Sequence, residues 1–252
     1  MPSDKLFPKG YWSKPSIDYN RSGDANSAFI FHAVGVALSS WEGVEESLVT
    51  LFLVACKVSD THAAIVLSES LGLIESNGVK LKILENAVIL YFGHYWKFQE
   101  VRSDFLDLKR CIELAGHRRN EIAHGKVLDI QINSSDADGL PVANRLGAYL
   151  VAASYATGRH QPFHRDIDPN DKLIFIRSNY RYTSADIIEF AGKFNALQLK
   201  IYDYIQKISL HESKIPKNVY ELIVNNIISF ESNAAKQPRK ETHVDGNSKT
   251  PL

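Results

Sequence analysis

The sequence predicts an all-α chain, a helical bundle with a loop-rich insert containing one or two short strands. Three observations predict it. Apolar residues recur at intervals of three and four over several long stretches. Clusters of Ser, Asn, Asp, Gly and Pro punctuate those stretches. The segments with strand-like composition gather in one insert, at about residues 126–182.

Residues 1–24 read as an irregular N-terminal segment with aromatic anchors at Tyr11, Trp12 and Tyr19. From Ser27 to about Val58, the positions Val34, Leu38, Trp41, Val44, Leu48, Leu51 and Ala55 mark the core face of a long helix. Ser59, Asp60 and Thr61 break it and can cap a second helix, which runs to about Ile74 and ends at the Ser76-Asn77-Gly78 turn. Lys80 to Phe92 repeats the rhythm with Leu81, Ile83, Leu84, Ala87, Val88 and Tyr91, and Gly93 interrupts it. A fourth helix follows from Phe98 to His124, where Gly125 is placed to act as a left-handed C-cap. Lys126 to Asn144 reads as polar turns, and Ala148–Ser154 and Leu173–Arg177 as short strands joined by polar loop. Thr183-Ser184-Ala185-Asp186 is a capping signature for a long helix through Ile187, Phe190, Ala191, Phe194, Leu197, Ile201, Ile205 and Ile208. A last helix is expected from about Pro216 to Ser232, and residues 233–252 are expected to be disordered. No internal repeat is present, so residues 25–232 are read as one domain.

Composition narrows the function. A chain of 252 residues can bury on the order of 70% of its extended surface. Its 29 basic and 29 acidic side chains cancel, so a nucleic-acid contact has to be local. An enzyme that cuts and releases still fits, because it neutralises fewer phosphates than a stable binder. Cys56 and Cys111 lie in apolar helical patterns and make no disulfide framework, which points to a reducing compartment and to two small core residues. The N-terminus lacks the apolar core of a secretion signal, and the apolar patches Ala28–Leu38 and Leu48–Ala55 are too short and interrupted to span a bilayer. A cytoplasmic protein without membrane attachment is expected. No glycine-rich phosphate loop, Walker lysine or nucleophile elbow occurs.

Chemistry competes with packing most clearly at Arg119-Asn120-Glu121-Ile122-Ala123-His124, followed by Gly125. The fourth helix carries an apolar stripe of Val101, Phe105, Leu108, Ile112, Ala115 and Ile122, and its rhythm reaches Arg119 where another apolar residue is due. A guanidinium there needs a partner, a ligand or water. His117, Asn120 and His124 fall nearly on one line, while Arg119 is displaced by roughly 140° from His124. Within one helix the two diverge unless Arg119 leans around; across a two-fold axis they converge on a shared cleft. Histidine can move a proton at neutral pH, and arginine can hold a phosphate and stabilise charge at phosphorus. RNA brings its own nucleophile, the 2′-hydroxyl, so this inventory could act without cofactor or metal. A plain helix end carrying Arg, His and Gly is the competing explanation.

RRNEIAHG resembles the Arg-polar-x3-His signature of HEPN domains, helical domains of prokaryotic defence systems and toxins. The resemblance extends loosely over residues 27–209. It implies a homodimer paired through the motif helix, RNA as substrate, and metal-independent endoribonuclease activity leaving a cyclic phosphate and a 5′-hydroxyl. It also leaves room for an antitoxin or other partner protein. By this resemblance Arg119, Asn120 and His124 are the catalytic candidates, and Arg118 stands at a permitted spacing for the same role. His117 supports them, and Glu45 is the carboxylate of the first helix expected to turn inward toward Arg119. Tyr180, Arg181 and Tyr182 can be drawn as an RNA-stacking set, or as a short strand packing its tyrosines on the bundle. His160, His164, Asp166 and Asp168 lie in polar loop without a ligand scaffold, so no metal is expected. The competing classes are a non-catalytic helical interaction or scaffolding protein of a defence or stress module, and a nucleotide or small-ligand sensor.

Overall fold

A computed structural model describes residues 6–15, 22–74, 76–92, 99–135, 141–152 and 180–212. Residues 1–208 form one compact unit and 209–252 another, of which the description covers Ser209–Glu212. The expected strand at Leu173–Arg177, the helix from Pro216, the disordered tail and the His160–Asp168 loop lie outside the described residues, as does Gly93.

Helix α1, Ser27–Ala55, is the centre of the bundle. Asn26 starts it by accepting the Ala28 N–H at 2.9 Å. Trp41, Val44, Leu48, Leu51 and Ala55 are buried as predicted. In the first turns the buried face is Ile30, Ala33 and Ala37, rather than Val34 and Leu38, which are only half-buried. A straight 3.6-residue helix drifts against a strict three-and-four count, and 29 residues are long enough for that drift to show. Lys57 (φ 54°) ends α1 as a left-handed residue, with the Val58 N–H bonded back to the Leu53 carbonyl. Cys56, the C-cap before it, is exposed and not the core residue expected, whereas Cys111 is buried.

Helix α2, Thr61–Gly72, is capped by Asp60, which accepts the Ala63 N–H at 2.7 Å. Helix α3, Asn77–Phe92, begins three residues earlier than its apolar pattern suggested, because Ser76 caps it. Helix α4, Gln99–His124, buries Val101, Phe105, Leu108, Ile112, Ala115 and Ile122 as read, together with Cys111 and Gly116. Helices α2, α3 and α4 all pack on α1, and α3 packs on α4.

The insert is more ordered than predicted. Lys126–Asn144 is not a run of turns: β1 (Lys126–Ser135) and β2 (Pro141–Val151) form an antiparallel ladder, and β3 (Arg181–Tyr182) pairs with the end of β2. The signal was the alternation Leu128, Ile130, Ile132 against Asp129, Gln131, Asn133, a half-apolar strand whose polar half resembles loop. Pairing shifts between Ile130 and Gln131, so Leu146 is an extra residue. Gly147 beside it adopts φ 105°, and a Cβ there would stand 2.8 Å from the Gly23 backbone. That gap lets Asp24 lie against β2, exchanging N–H···O bonds of 2.8 and 2.9 Å with Ala148.

Helix α5, Ser184–Glu212, starts with the predicted box: the Thr183 N–H and hydroxyl both donate to Asp186 at 2.8 Å. Asp24 also accepts from the Ser184 N–H and hydroxyl. Phe194 of α5 meets Trp41 edge-on at 5.3 Å and stacks on Trp12, so the N-terminal segment is held on the bundle.

The predicted C-cap at Gly125 is corrected. Its φ is not in the left-handed range, and β1 begins at the next residue. Close packing explains the glycine, because a Cβ would meet Leu150 at 2.6 and 2.8 Å and the Glu121 carbonyl at 3.0 Å.

Candidate active-site cleft

The C-terminal half of α4, the middle of α1 and the first turn of α3 enclose a cleft of about 710 Å³. His117, Arg119, Asn120 and His124 all line it. Arg119 therefore leans around the helix far enough to share one opening with His124 inside a single chain. Gly116 permits the close approach of the helices: a Cβ there would lie 3.3 Å from Asn77 and 3.8 Å from Trp41.

The two neighbouring arginines part company. They project about 100° apart around the helix. Arg118 turns away from the cleft and pairs with Glu121 at 2.8 Å, with Tyr182 Oη at 3.4 Å. The Glu121 carboxylate also accepts from Tyr182 Oη at 2.6 Å and from Lys14 at 2.9 Å, and its main-chain carbonyl accepts from Tyr180 Oη at 2.9 Å. That last bond satisfies a carbonyl that α4, ending at His124, cannot satisfy itself. Arg118 thus belongs to a structural clamp.

Arg119 has no carboxylate partner among the described residues. Its Nη1 donates to Asn120 Oδ1 at 3.2 Å, and its Nε is buried without an acceptor. With Asn120 Oδ1 so used, the Asn120 amide N–H groups remain as donors toward the cleft.

The expected reach of Glu45 toward Arg119 does not occur. Its two oxygens accept from Trp41 Nε1 at 3.0 Å and from Lys80 Nζ at 2.9 Å, which fixes α1 to α3. Glu42 and Glu46, read as a wet face, do line the cleft and have no cation partner among the described residues. Lys80, Asn77 and Glu113 also line it and were not singled out from sequence, although Glu113, His117, Asn120 and His124 share one helical line.

The RNA-stacking set is corrected. Tyr180, Arg181 and Tyr182 are 7%, 7% and 0% exposed, so no base can reach their faces. The tyrosines stack on one another at 5.1 Å, and the Arg181 guanidinium lies 4.6 Å over the Tyr149 ring. The alternative reading, a short strand packing tyrosines on the bundle, describes them. Burial and the nearby Glu121 charge push the Tyr180 phenol up to about 12, with Arg118 opposing. Tyr182 is raised further by burial and by its bond to Glu121.

Among the described residues no three His, Cys, Asp or Glu side chains gather at metal-binding spacing, and no helix is long and apolar enough to cross a membrane. Chemically the cleft offers a guanidinium with no carboxylate partner among the described residues, two amides, two imidazoles, an ammonium and an acidic opposite wall. Comparisons with family models, with characterised proteins and with solved structures find no match to this chain.

Proposed function

We propose that the protein is a metal-independent endoribonuclease of the HEPN type, acting as a homodimer in a defence or toxin setting. The observation that supports this best is the division of labour between adjacent arginines. Arg118 is consumed by Glu121, whereas Arg119 opens with Asn120 and His124 on one cleft, uncompensated by any described carboxylate. A guanidinium left unpaired beside a histidine suits an anion that is negative before reaction and more so at the transition state. Arg119 and Asn120 hold the scissile phosphate; His124 moves a proton as the 2′-oxygen attacks phosphorus and the 5′-oxygen leaves.

The test is cleavage of mixed single-stranded and transfer RNA by purified protein in EDTA. Wild type should cut and leave cyclic phosphate ends, and Arg119→Ala and His124→Ala should each lose about 10²–10⁴-fold while staying folded. Wild-type protein that is inert on every substrate removes the proposal.

The acidic wall favours a second reading, a helical interaction protein whose partner offers basic side chains to Glu42 and Glu46. Under that reading Arg119→Ala leaves RNA untouched, and Glu42→Gln with Glu46→Gln weakens partner capture.

A further inference from the structure

We infer that His117 is a second catalytic residue of this cleft, so that one chain carries both the proton acceptor and the proton donor of the cleavage step. The inference rests on the ribonuclease reading and goes beyond its Arg-Asn-His set. His117 is exposed, lines the same cleft as Arg119 and His124, and its side chain has no hydrogen-bond or ion-pair partner among the described residues.

Its position on the helix fits the reaction. His117 and His124 are seven residues apart and so only about 20° out of line. Asn120 sits between them, about 4.5 Å along the axis from His117 and about 6 Å from His124. A phosphate held by Arg119 and Asn120 therefore has one imidazole toward each end of the helix. That arrangement suits in-line displacement, because the attacking and leaving oxygens lie on opposite sides of phosphorus. One imidazole takes the 2′-hydroxyl proton as the O2′–P bond forms. The other, protonated, delivers its proton to the 5′-oxygen as the P–O5′ bond breaks. The products are a 2′,3′-cyclic phosphate and a 5′-hydroxyl, and exchange with water restores both histidines. Glu42, Glu45 and Glu46 of α1, Lys80 of α3, and Glu113 and Arg119 of α4 itself are the charged groups that line the cleft with the pair.

A bridging sulfur in place of the 5′-oxygen separates the two roles, because a thiolate leaves without a proton. Wild type, His117→Gln and His124→Gln are compared on a short single-stranded RNA and on the same RNA with that one sulfur. Thermal unfolding establishes that each variant is folded. Each variant should lose about 10²–10⁴-fold on the oxygen substrate. One of them should recover most of that loss on the sulfur substrate, which identifies it as the donor, and the other should stay slow. The inference is overturned if folded His117→Gln cuts the oxygen substrate within about threefold of wild type while His124→Gln is inactive. It is also overturned if sulfur affects both variants alike. Those outcomes leave the ribonuclease reading standing, whereas inert wild type removes both.

Discussion

Replacing Arg118 and Arg119 one at a time should separate stability from activity at adjacent positions. Arg118→Ala removes a 2.8 Å ion pair whose side chains are 13% and 17% exposed, and the weaker bond to Tyr182. Breaking a fully buried pair costs about 3–5 kcal/mol and breaking a surface pair about 0–1 kcal/mol. Glu121 retains Lys14 and Tyr182, so the loss lies between, at about 2 kcal/mol. For a unit of roughly 200 residues that lowers Tm by about 4–8 °C. Arg119→Ala removes one 3.2 Å bond to an exposed asparagine and a buried Nε that had no acceptor. Its cost should stay within about 0.5 kcal/mol, or under about 2 °C. Thermal unfolding followed by circular dichroism measures both. RNA cleavage below either transition supplies the other axis: Arg119→Ala should fall about 10²–10³-fold, and Arg118→Ala should stay near wild type. A reversed order, with Arg119→Ala the less stable or Arg118→Ala the less active, would refute the assignment of clamp and site.

Alkaline pH should unfold the protein through its buried phenols. Tyr180 is pushed up to about 12 and Tyr182 is raised as well, so above about pH 10 the unfolded chain releases protons that the native state keeps. Their contribution is complete below pH 10 and declines as pH rises; phenolate absorbance from these residues should appear only as ellipticity is lost. A thiol reagent at mildly alkaline pH should modify exposed Cys56 alone, with Cys111, pushed up to about 11 by burial, reacting after unfolding. Two equally fast thiols in folded protein would contradict the packing of α4. Gly125→Ala should cost about 1–3 kcal/mol in chemical denaturation, because its Cβ meets the buried Leu150 side chain. An unchanged denaturation midpoint would mean that this junction has slack.

The helices were legible because their cause is local. Trp41 to Ala55 and Val101 to Ile122 repeat at helical spacing, and Asp60 and the Thr183–Asp186 box announce their own caps. The hairpin was hidden because β1 alternates apolar residues with Asp, Gln and Asn, a pattern that composition alone assigns to loop. Gly125 was recognised as necessary for the wrong reason: its constraint is Leu150, a neighbour only in the folded chain. At the site, sequence placed His117, Asn120 and His124 on one line but could not choose between Arg118 and Arg119. In the fold Arg118 pairs with Glu121, and Tyr182 and Lys14, far away in sequence, converge on that same carboxylate. Glu45 failed as a partner for the same reason, since Lys80 on another helix reaches it first.

The clamp on Glu121 also has a consequence during synthesis. All cleft-lining residues lie between Glu42 and His124, and they emerge from the ribosome before Tyr182, which binds Glu121 from 61 positions later. At about 5–20 residues per second the motif helix waits roughly 3–12 s for that phenol. The start of α5 closes on Asp24 across 160 positions, so the nascent protein also completes this long connection late. A chain cut short before Tyr180 keeps every residue of the cleft and lacks the phenols that hold the end of its helix. Premature termination therefore yields a fragment with the chemical groups but an unsecured frame.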